Sequence, residues 1–504
     1  MKEEWLTGRS RAAAAAVAVL LWATSGWTWV SDAATAWHTF GLPVQTAVSG
    51  LASALLFWSP AAVVSIAALA ALAGLVMLRM EVGLVLAAFF VPFFLLPQRI
   101  FERSFPMIEI LLLLTSASWL LRQIRLRRRG AWRWRWPRPT LLDIGVLGMA
   151  IIGVLSTLQA SESVPAWREL RLVILEPAAL YFLFRAARLN DESRRWVLTA
   201  FVAGAVAIAG IGLVNYVRGD RFVAELGLPR IKSIYGSANN DALYLARALP
   251  FALVAFVFAQ KVGRWRRAAV GVAALLIAAA LLLTQSRGAL LLGVPAMSIV
   301  MMLFAGGRWR VAGIAAAVAA VVGIGALLSG AAAPLVEGTR LANAFDLTRG
   351  TGFFRLNLWQ SAWRMLVDHP WLGVGPDNFL YAYRSFYILP AAWQEPNLSH
   401  PHNFALDWLT RLGVLGGVAG LAMIAGLVVN IRAGLSDPRR RLIALACAGM
   451  LAEILAHGLV DHSFFLVDLM YAFVIAAAVV SGEVGEAVGA NALLTRSRKE
   501  REDV

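Results

Sequence analysis

Two apolar runs, residues 268–284 (AAVGVAALLIAAALLLT) and residues 289–305 (ALLLGVPAMSIVMMLFA), are separated only by the four residues QSRG at 285–288. Each run approaches the roughly 20 apolar residues that cross a bilayer. Basic clusters flank the pair, KVGRWRR at 261–267 and RWR at 308–310. Because cytoplasmic connections of membrane proteins carry an excess of Lys and Arg, the stretch predicts a transmembrane hairpin whose short turn faces the extracytoplasmic side.

The composition of the whole chain also indicates that the protein lies in a lipid bilayer. Of the 504 residues, 60% are hydrophobic and 15% are charged, and the mean hydropathy is +0.69; these values exclude a soluble globular domain of this size. The net charge of +16 comes from Arg clusters between apolar runs, which is typical of membrane topology and not of nucleic-acid binding. The single cysteine, Cys447, excludes an intrachain disulfide framework and a thiolate metal cage.

Segments long enough to span a bilayer recur along the chain, and we predict an all-α polytopic membrane protein with about 14 (12–14) transmembrane helices. With the N-terminus inside, the Arg-rich connections fall on the cytoplasmic face. Residues 12–30 are interpreted as a retained first helix and not a cleaved signal, and the uncharged residues 39–78 as one helix plus a re-entrant piece. The predicted spans are Ala12–Val30, Trp58–Leu78, Val82–Leu96, Met107–Leu121, Ile144–Leu158, Leu172–Phe184, Trp196–Val217, Ala242–Ala259, Ala268–Leu283, Gly288–Phe304, Val311–Leu328, Phe404–Val429, Leu442–Leu459 and Phe464–Val480.

The chain divides into four predicted parts. They are an N-terminal transmembrane bundle (1–328), a large periplasmic loop (329–403), the C-terminal transmembrane helices (404–482) and a cytoplasmic tail (483–504). Within the loop, helical spacing places Leu356, Trp359, Trp363 and Leu366 on one face, and residues 378–389 form a second aromatic amphipathic stretch. The loop is therefore expected to fold as short helices that lie on the membrane.

The histidines fall on one side of the predicted topology. All six lie on or near the extracytoplasmic face; they are His38, His369, His400, His402, His457 and His462. Because histidine is the side chain suited to proton transfer near neutral pH, this bias indicates an outward-facing site. The densest pattern is Ser399-His400-Pro401-His402-Asn403, at the point where the chain returns to the membrane.

This pattern resembles the signature of the O-antigen ligase and polymerase superfamily. In that family a His-Asn pair ends a large periplasmic loop, and a Gly-containing helical turn follows about ten residues later, as Leu412–Gly416 does in this sequence. Upstream, Gly373–Phe379 resembles the Gly-x-Gly-x-x-x-Phe turn of the family.

Three further pieces occur in the order that the family shows. Arg355 with Trp359 resembles its loop helix, and Ser286-Arg287-Gly288 resembles its Ser-Arg-Gly turn. Tyr235–Asn240 resembles its Gly and Asn element, with Ala-Asn-Asn in place of Asn-Pro-Asn. The resemblance covers roughly residues 168–462. Members commonly have fewer spans than are predicted here, so two helices near the N-terminus look additional.

The resemblance implies a GT-C-like membrane fold and an inverting, metal-independent glycosyltransferase on the periplasmic face of the bacterial inner membrane. The implied partners are a glycan donor linked to undecaprenyl diphosphate, a glycolipid or glycan acceptor and membrane lipids, with no cofactor and no nucleic acid. Three activities remain open: O-antigen ligase, repeat-unit polymerase for O-antigen or exopolysaccharide, and protein O-glycosyltransferase.

Two residues are predicted to carry the chemistry. His402 would be the general base that takes the proton of the acceptor hydroxyl. Arg287 would stabilise charge on the leaving diphosphate, because a guanidinium binds phosphate oxygens bidentately and stays charged. The residues predicted to bind the diphosphate or glycan are Arg168, Arg171, Arg230, Arg355, Asn240, Asn403, His400 and Asp461.

Structural interpretations stand beside these roles. Arg287 could bond the carbonyls of a helix C-terminus, and Arg168 and Arg171 could pair with Glu162 and Glu169.

The histidine motif has structural alternatives as well. His402 could cap the returning helix while Asn403 bonds the backbone. A metal pair of His400 and His402 would need further ligands, so no metal is expected; the candidates for those ligands are Asp461, His462 and His369.

Ionisable residues within spans keep a second class of function open. Such groups are costly in lipid and are often functional, so a secondary transporter or flippase is the alternative to an enzyme. The residues concerned are Glu109, Glu176, Arg247, Asp407, Glu453 and Asp468. Pairing of Arg247 with Glu453 across the bundle would instead be structural. Nothing beyond size favours an envelope scaffold.

Overall fold

The structure is a computed structural model that describes residues 37, 39–58, 62–100, 103–128, 138–223, 228–258, 263–328 and 350–482. The predicted span at residues 12–30 and the tail at 483–504 lie outside the described residues. The helices are α1 (Leu42–Trp58), α2 (Ala62–Leu78), α3 (Met80–Phe90), α4 (Met107–Arg128), α5 (Leu141–Leu158), α6 (Ser163–Glu169), α7 (Glu176–Ala187), α8 (Asp191–Arg218), α9 (Ala238–Phe258), α10 (Arg264–Thr284), α11 (Val294–Ala305), α12 (Gly307–Leu328), α13 (Gly350–Asp368), α14 (Phe379–Ala382), α15 (Phe404–Ser436), α16 (Arg441–His457) and α17 (Val467–Val480).

Shorter elements connect these helices. The described residues include two antiparallel strand pairs, one of β1 with β2 and one of β3 with β4. The strands are β1 (Gln98–Ile100), β2 (Arg103–Phe105), β3 (Phe222–Val223) and β4 (Pro229–Arg230). Single π-helical turns cover Leu170–Leu175, Gly288–Gly293 and Tyr383–Tyr387, and 3-10 turns cover Val91–Leu95 and Pro390–Ala392.

Helices of transmembrane length dominate the described part of the chain and confirm an all-α, multi-pass membrane protein. Eight of the described helices are long and apolar enough to cross a bilayer, and they begin or end within a few residues of the predicted spans. The count of about 14 spans remains a prediction. The eight are Met107–Arg128, Leu141–Leu158, Asp191–Arg218, Ala238–Phe258, Arg264–Thr284, Gly288–Ala305, Gly307–Ala326 and Phe404–Ser436.

Residues 39–78 differ from the expectation of one helix plus a re-entrant piece. They form two helices of 17 residues each, α1 and α2. Arg79, at the end of α2, donates from Nη1 to the side-chain oxygen of Gln45 in the first turn of α1 at 2.7 Å. The start of α1 and the end of α2 therefore lie on the same side, as in a helical hairpin. The sequence missed this because uniform hydrophobicity does not show where a helix turns back.

Glycines allow α5 and α15 to cross closely. A Cβ on Gly145 of α5 would lie 2.6 Å from the backbone nitrogen of Met423, and one on Gly426 of α15 would lie 2.4 Å from that of Leu142. Small residues at such crossings let backbones approach and gain van der Waals contact, which drives helix association in lipid. This crossing ties the first half of the bundle to the helix that follows the histidine motif.

Helix α15 is broken sharply at Gly413, whose φ of 66° and ψ of −168° are not helical. In a straight helix Trp408 and Gly420 would be about 18 Å apart, yet a Cβ on Gly420 would lie 1.3 Å from the Trp408 ring. The segment 404–412 therefore folds back along the helix that follows the break. The predicted span Phe404–Val429 is wrong in its first nine residues, because sequence hydrophobicity does not show the break, and residues 414–436 remain long enough to cross. We call residues 404–412 the re-entrant helix.

Residues 370–375 supply the hydrogen bonds that the break removes. Val414 donates its backbone N–H to the carbonyl of Pro370 at 2.7 Å, and Val374 donates to the carbonyl of Thr410 at 2.7 Å. Gly375 donates to the carbonyl of Arg411 at 3.1 Å. Because lipid offers no partner for an unsatisfied backbone group, the Gly-x-Gly turn and the helix break depend on each other.

The loop helix α13 buries a face that overlaps only in part with the predicted set of residues. Leu358, Ala362 and Met365 are fully buried, whereas Leu356 and Trp363 are 40% and 58% exposed. The buried face packs against α14 and the π-helical turn after it, with Phe379 and Tyr383 stacked at 5.8 Å. Of the four residues expected on one face, Leu366 is buried at 8% exposed, whereas Leu356 and Trp363 stay on the outer surface of the helix. That α13 lies on the membrane remains a prediction.

Gly413→Ala is expected to destabilise the protein. An alanine Cβ would lie 2.2 Å from the carbonyl carbon of Trp371, and the left-handed backbone alone costs about 1–3 kcal/mol in a non-glycine residue. We expect a clearly lower unfolding temperature in detergent. Gly210→Ala in α8 is the matched control, because its Cβ meets nothing within 4 Å. Equal unfolding temperatures for the two variants would contradict the proposed break.

Candidate functional site

The histidine motif begins the re-entrant helix. The Asn403 side-chain oxygen accepts the backbone N–H groups of Ala405 and Leu406, each at 3.1 Å, so Asn403 is the N-cap. Its side-chain nitrogen donates to the carbonyl of Leu459 at 3.1 Å. The structural interpretation thus holds for Asn403, which fixes the start of the helix, while the cap itself is not His402.

His402 has a left-handed backbone with φ of 50°. Such a conformation costs about 1–3 kcal/mol in a non-glycine residue and is often found at functional sites. The preceding Pro401 is held by Trp359 of α13, whose indole N–H donates to the Pro401 carbonyl at 2.9 Å. The loop helix therefore fixes the turn that presents His402.

Asp461, in the connection between α16 and α17, holds the imidazole of His402. Nδ1 of His402 lies 3.2 Å from Oδ1 of Asp461 and 3.2 Å from Nε2 of His400. A hydrogen on Nδ1 of His402 satisfies the carboxylate and leaves the lone pair on Nε2. A neutral His400 fits beside it, because its own Nδ1 is 3.1 Å from the Ser399 hydroxyl.

His462 completes the cluster by stacking on His400. The ring centroids are 3.9 Å apart and the planes are 10° from parallel. Burial and the neighbouring His400 lower the pKa of His462 well below its usual range, and burial and His402 lower the pKa of His400. Burial alone would raise the pKa of Asp461, but hydrogen bonds from His400 and His402 lower it well below its usual range. The cluster is thus a carboxylate surrounded by imidazoles.

Arginines from two other segments lie close to this cluster. Burial lowers the pKa of Arg355 on α13, the charge of Asp461 raises it, and the charge of Arg287 lowers it again. These mutual effects require the three groups to be near one another, since Coulomb interactions fall off with distance. The structure therefore brings Arg287, Arg355, Asp461 and His402 to the same end of the bundle, and their roles remain predictions.

The Ser-Arg-Gly turn sits directly against the Asp461 connection. A Cβ on Gly288 would lie 2.6 Å from Cδ2 of His457 and 3.1 Å from a methyl group of Val460. Only a residue without a side chain lets the turn approach this closely. Gly288 thereby places Arg287 beside the residues that lead to Asp461.

Arg230 holds the end of α10. Its Nε donates to the carbonyl of Thr284 at 2.6 Å, and its Nη2 donates to the side-chain oxygen of Asn239 at 2.6 Å. Arg230 therefore bonds a carbonyl at the C-terminus of α10. Asn240 lies next to Asn239 in the first turn of α9, where its backbone N–H donates to the Ser237 carbonyl at 3.1 Å.

Arg168 and Arg171 pair with carboxylates other than the predicted ones. Arg168 contacts Asp377 at 3.2 Å. Arg171 contacts Glu176 at 2.8 Å and also pairs with Glu109. Of the expected partners, Glu169 is engaged by Arg411 instead, and Glu162 contacts Asn378 through its backbone.

The sequence reasoning missed Arg411, which lies in the last turn of the re-entrant helix and is 3% exposed. Its Nη1 donates to both carboxylate oxygens of Glu169 at 2.6 and 2.7 Å, and its Nε donates to Asp407 at 2.7 Å. The signal that could have found it is the i,i+4 spacing of Asp407 and Arg411 in an otherwise apolar run.

A buried polar cluster lies deeper in the bundle. Arg247 and Glu453, both fully buried, approach within 4.0 Å, which confirms the pairing that the sequence suggested. Glu453 also contacts Nδ1 of His457 at 2.9 Å. Arg247 donates from Nη1 to the carbonyl of Leu469 at 2.8 Å and from Nη2 to that of Ser463. These bonds join α9, α16 and the start of α17, so the cluster has a structural role.

Three of the cluster atoms could geometrically hold a metal ion. Nε2 of His400, Nδ1 of His402 and Oδ1 of Asp461 lie within 4.8 Å of one another. Two nitrogens and one carboxylate oxygen suit zinc, with a fourth position left open. The nearby positive charges of Arg287 and Arg355 disfavour a second cation and favour an anion. The expectation of no metal remains a prediction.

The fold and the site together define a multi-pass α-helical membrane protein with a histidine, aspartate and arginine cluster at one end of its bundle. Residues 272–421 match the family model described as O-antigen ligase. This range includes Arg287, Arg355 and His402, and the match confirms the O-antigen ligase superfamily that the order of motifs predicted. A search of the curated proteins gave no match. The family implies a glycan-transferring activity in general terms.

The lowered pKa values of His400 and His462 predict that stability falls as the pH drops from 7 to 5. Below about pH 6.5, the ordinary histidine pKa, the unfolded chain binds protons that the folded protein does not. Each such proton lowers the free energy of unfolding by up to about 1.4 kcal/mol per pH unit. Asp461, whose folded pKa is depressed, adds its loss only below about pH 4.

Unfolding temperatures at pH 7 and pH 5 test this prediction. His462→Phe keeps an aromatic ring against His400 and removes one titrating group, so its unfolding temperature should depend less on pH. His369→Phe, at an exposed position of the loop, is the control and should behave as the wild type. An unchanged pH dependence in His462→Phe would contradict the assignment.

Proposed function

We propose that the protein is an inverting, metal-independent glycosyltransferase of the O-antigen ligase kind. It moves a glycan from an undecaprenyl-diphosphate donor to an acceptor hydroxyl at the periplasmic face of the inner membrane. The observation that carries the proposal is the 3.2 Å contact between His402 and Asp461 at the same end of the bundle as Arg355 and Arg287. A base held by a carboxylate beside fixed cations meets the needs of this reaction.

The transfer is a single displacement. The acceptor oxygen forms a bond to the anomeric carbon while the bond from that carbon to the diphosphate oxygen breaks. The hydroxyl proton goes to Nε2 of His402, and the bonding electron pair leaves with the diphosphate. Asp461 keeps the hydrogen on Nδ1 and stabilises the imidazolium that forms. Attack opposite the leaving group inverts the anomeric configuration.

The arginines act on the leaving group. Developing negative charge on the diphosphate is stabilised by preorganised donors, which is usually the largest catalytic contribution. Arg287 is exposed and Arg355 is half-buried, so a phosphate can reach the first while the second strengthens the field from within. His400, Arg230 and Asn240 are proposed to line the glycan side of the same site.

The side of the membrane follows from charge. The basic residues Arg264–Arg267 and Arg308–Arg310 begin α10 and α12, so they lie at the end of the bundle away from the Arg287 turn and the His402 cluster. The positive-inside rule assigns that end to the cytoplasm, and the cluster therefore faces the periplasm. A donor anchored by its isoprenoid chain would present its diphosphate at this level.

His402→Ala is expected to reduce transfer by about 10²–10⁴-fold, the usual contribution of a positioned base. The assay uses the full chain in proteoliposomes, with lipid-linked glycans extracted from a strain that lacks the protein. The exposed His369→Ala is the matched control and should transfer at the wild-type rate. Full activity of His402→Ala would reject the proposed role. Products on a lipid A core indicate a ligase, and a ladder of repeat units indicates a polymerase.

Arg287→Ala is expected to lower kcat by about 10²–10³-fold, the typical effect of removing one donor to a developing anion. Arg287→Lys should recover part of the rate because it keeps the charge but loses the bidentate fork. Arg364→Ala, at an exposed position of α13, controls for loss of positive charge in the loop. Similar rates for Arg287→Ala and wild type would exclude Arg287 from catalysis.

A further inference from the structure

The position of the catalytic histidine depends on how the re-entrant helix is held. This helix starts next to α16, where Phe404 donates its backbone N–H to the Gly458 carbonyl at 2.8 Å. It ends at the Gly413 break, where the Ser156 hydroxyl of α5 donates to the Arg411 carbonyl at 2.9 Å. Nine residues span about 13 Å, so a small rotation about the break would displace His402 substantially.

One side chain connects both ends of the re-entrant helix. The guanidinium of Arg411 donates from Nη2 to the carbonyl of Ser399 at 3.2 Å. Ser399 lies three residues before His402 and contacts His400. From the last turn of the helix, Arg411 thus reaches back to the chain that enters its first turn.

The same guanidinium contacts its own helix and two further segments. It binds Glu169 of α6 through both carboxylate oxygens and Asp407 of its own helix. Its carbon lies 5.0 Å from the ring centroid of Phe465, four residues after Asp461. The segment that carries His402 and the segment that carries Asp461 therefore both contact the guanidinium of Arg411. Lysine could not replace it, because only arginine offers five donors in a fixed fork.

The buried ion pairs of Arg411 are better explained by positioning of the re-entrant helix than by stability. Burying an ion pair is often no better for stability than apolar packing, and here one guanidinium faces two carboxylates, with Oδ2 of Asp407 unpartnered. Arg411 cannot touch the substrate, since it is 3% exposed and its donors are directed at Glu169, Asp407 and Ser399.

We propose that Arg411 is the positioning residue of the active site: its fork locks the re-entrant helix to α6 and sets His402 at the correct distance from Asp461. The inference rests on the proposed role of His402 as the base. Glu169 is the fixed point of the lock, because it also accepts the backbone N–H of Asp377 in the Gly-x-Gly turn.

Arg411→Lys tests the proposal in proteoliposomes with the same extracted lipid-linked glycans. Lysine keeps the charge but cannot reach Glu169, Asp407 and Ser399 together, so His402 should be misplaced. A misplacement of about 1 Å can cost about 10²-fold. We expect kcat to fall by about that factor while KM stays within about twofold, and the pH profile of kcat to shift because the contact of His402 with Asp461 is altered.

Two further variants keep the result interpretable. Glu169→Gln retains Arg411 and its Asp407 partner, should therefore fold, and should show the same kcat loss in weaker form. Arg364→Lys on the exposed side of α13 is the matched control and should match the wild type. An unshifted pH profile and a wild-type kcat in Arg411→Lys, with His402→Ala inactive, would overturn the positioning role. An active His402→Ala would instead reject the proposed function itself.

Discussion

The broken helix at Gly413 is the constraint on which the rest of the structure depends. A backbone group without a partner is costly in a bilayer, so the break can exist only where other backbone supplies the missing bonds. Residues 370–375 do this through pairs with Thr410, Arg411 and Val414. The loop is thereby anchored in the bundle. The re-entrant helix can then fold back from the break, and His402 lies just before its first turn.

The charged residues divide into two groups according to their partners. Arg168, Arg171 and Arg411 are engaged with carboxylates and hold segments together. Arg355 and Arg287 instead lie around a single carboxylate, Asp461, that is already bound by imidazoles. The first group ties segments together through paired charges, whereas the second places positive charge beside Asp461, on which the proposed binding of an anionic substrate group rests.

The site is assembled from segments that are far apart in the sequence. Arg287 comes from a hairpin turn, Arg355 from the loop helix, His402 from the re-entrant helix and Asp461 from the last connection. Three of them are placed by different local contacts: a glycine contact for Arg287, an indole bond to Pro401 for His402, and the packed end of α16 for Asp461. Such a site needs the whole bundle.

The sequence by itself determined the membrane fold, the spans near Arg287 and the motif around His402, because hydrophobic length and residue type act locally. Through the family resemblance it also proposed roles for Arg355 and Asp461, which remain predictions. Only the tertiary structure decided the break at Gly413, the α1–α2 hairpin, the buried face of α13 and the network of Arg411 with Glu169. These features depend on which distant backbone and carboxylate groups meet, and spacing along one chain does not encode such meetings.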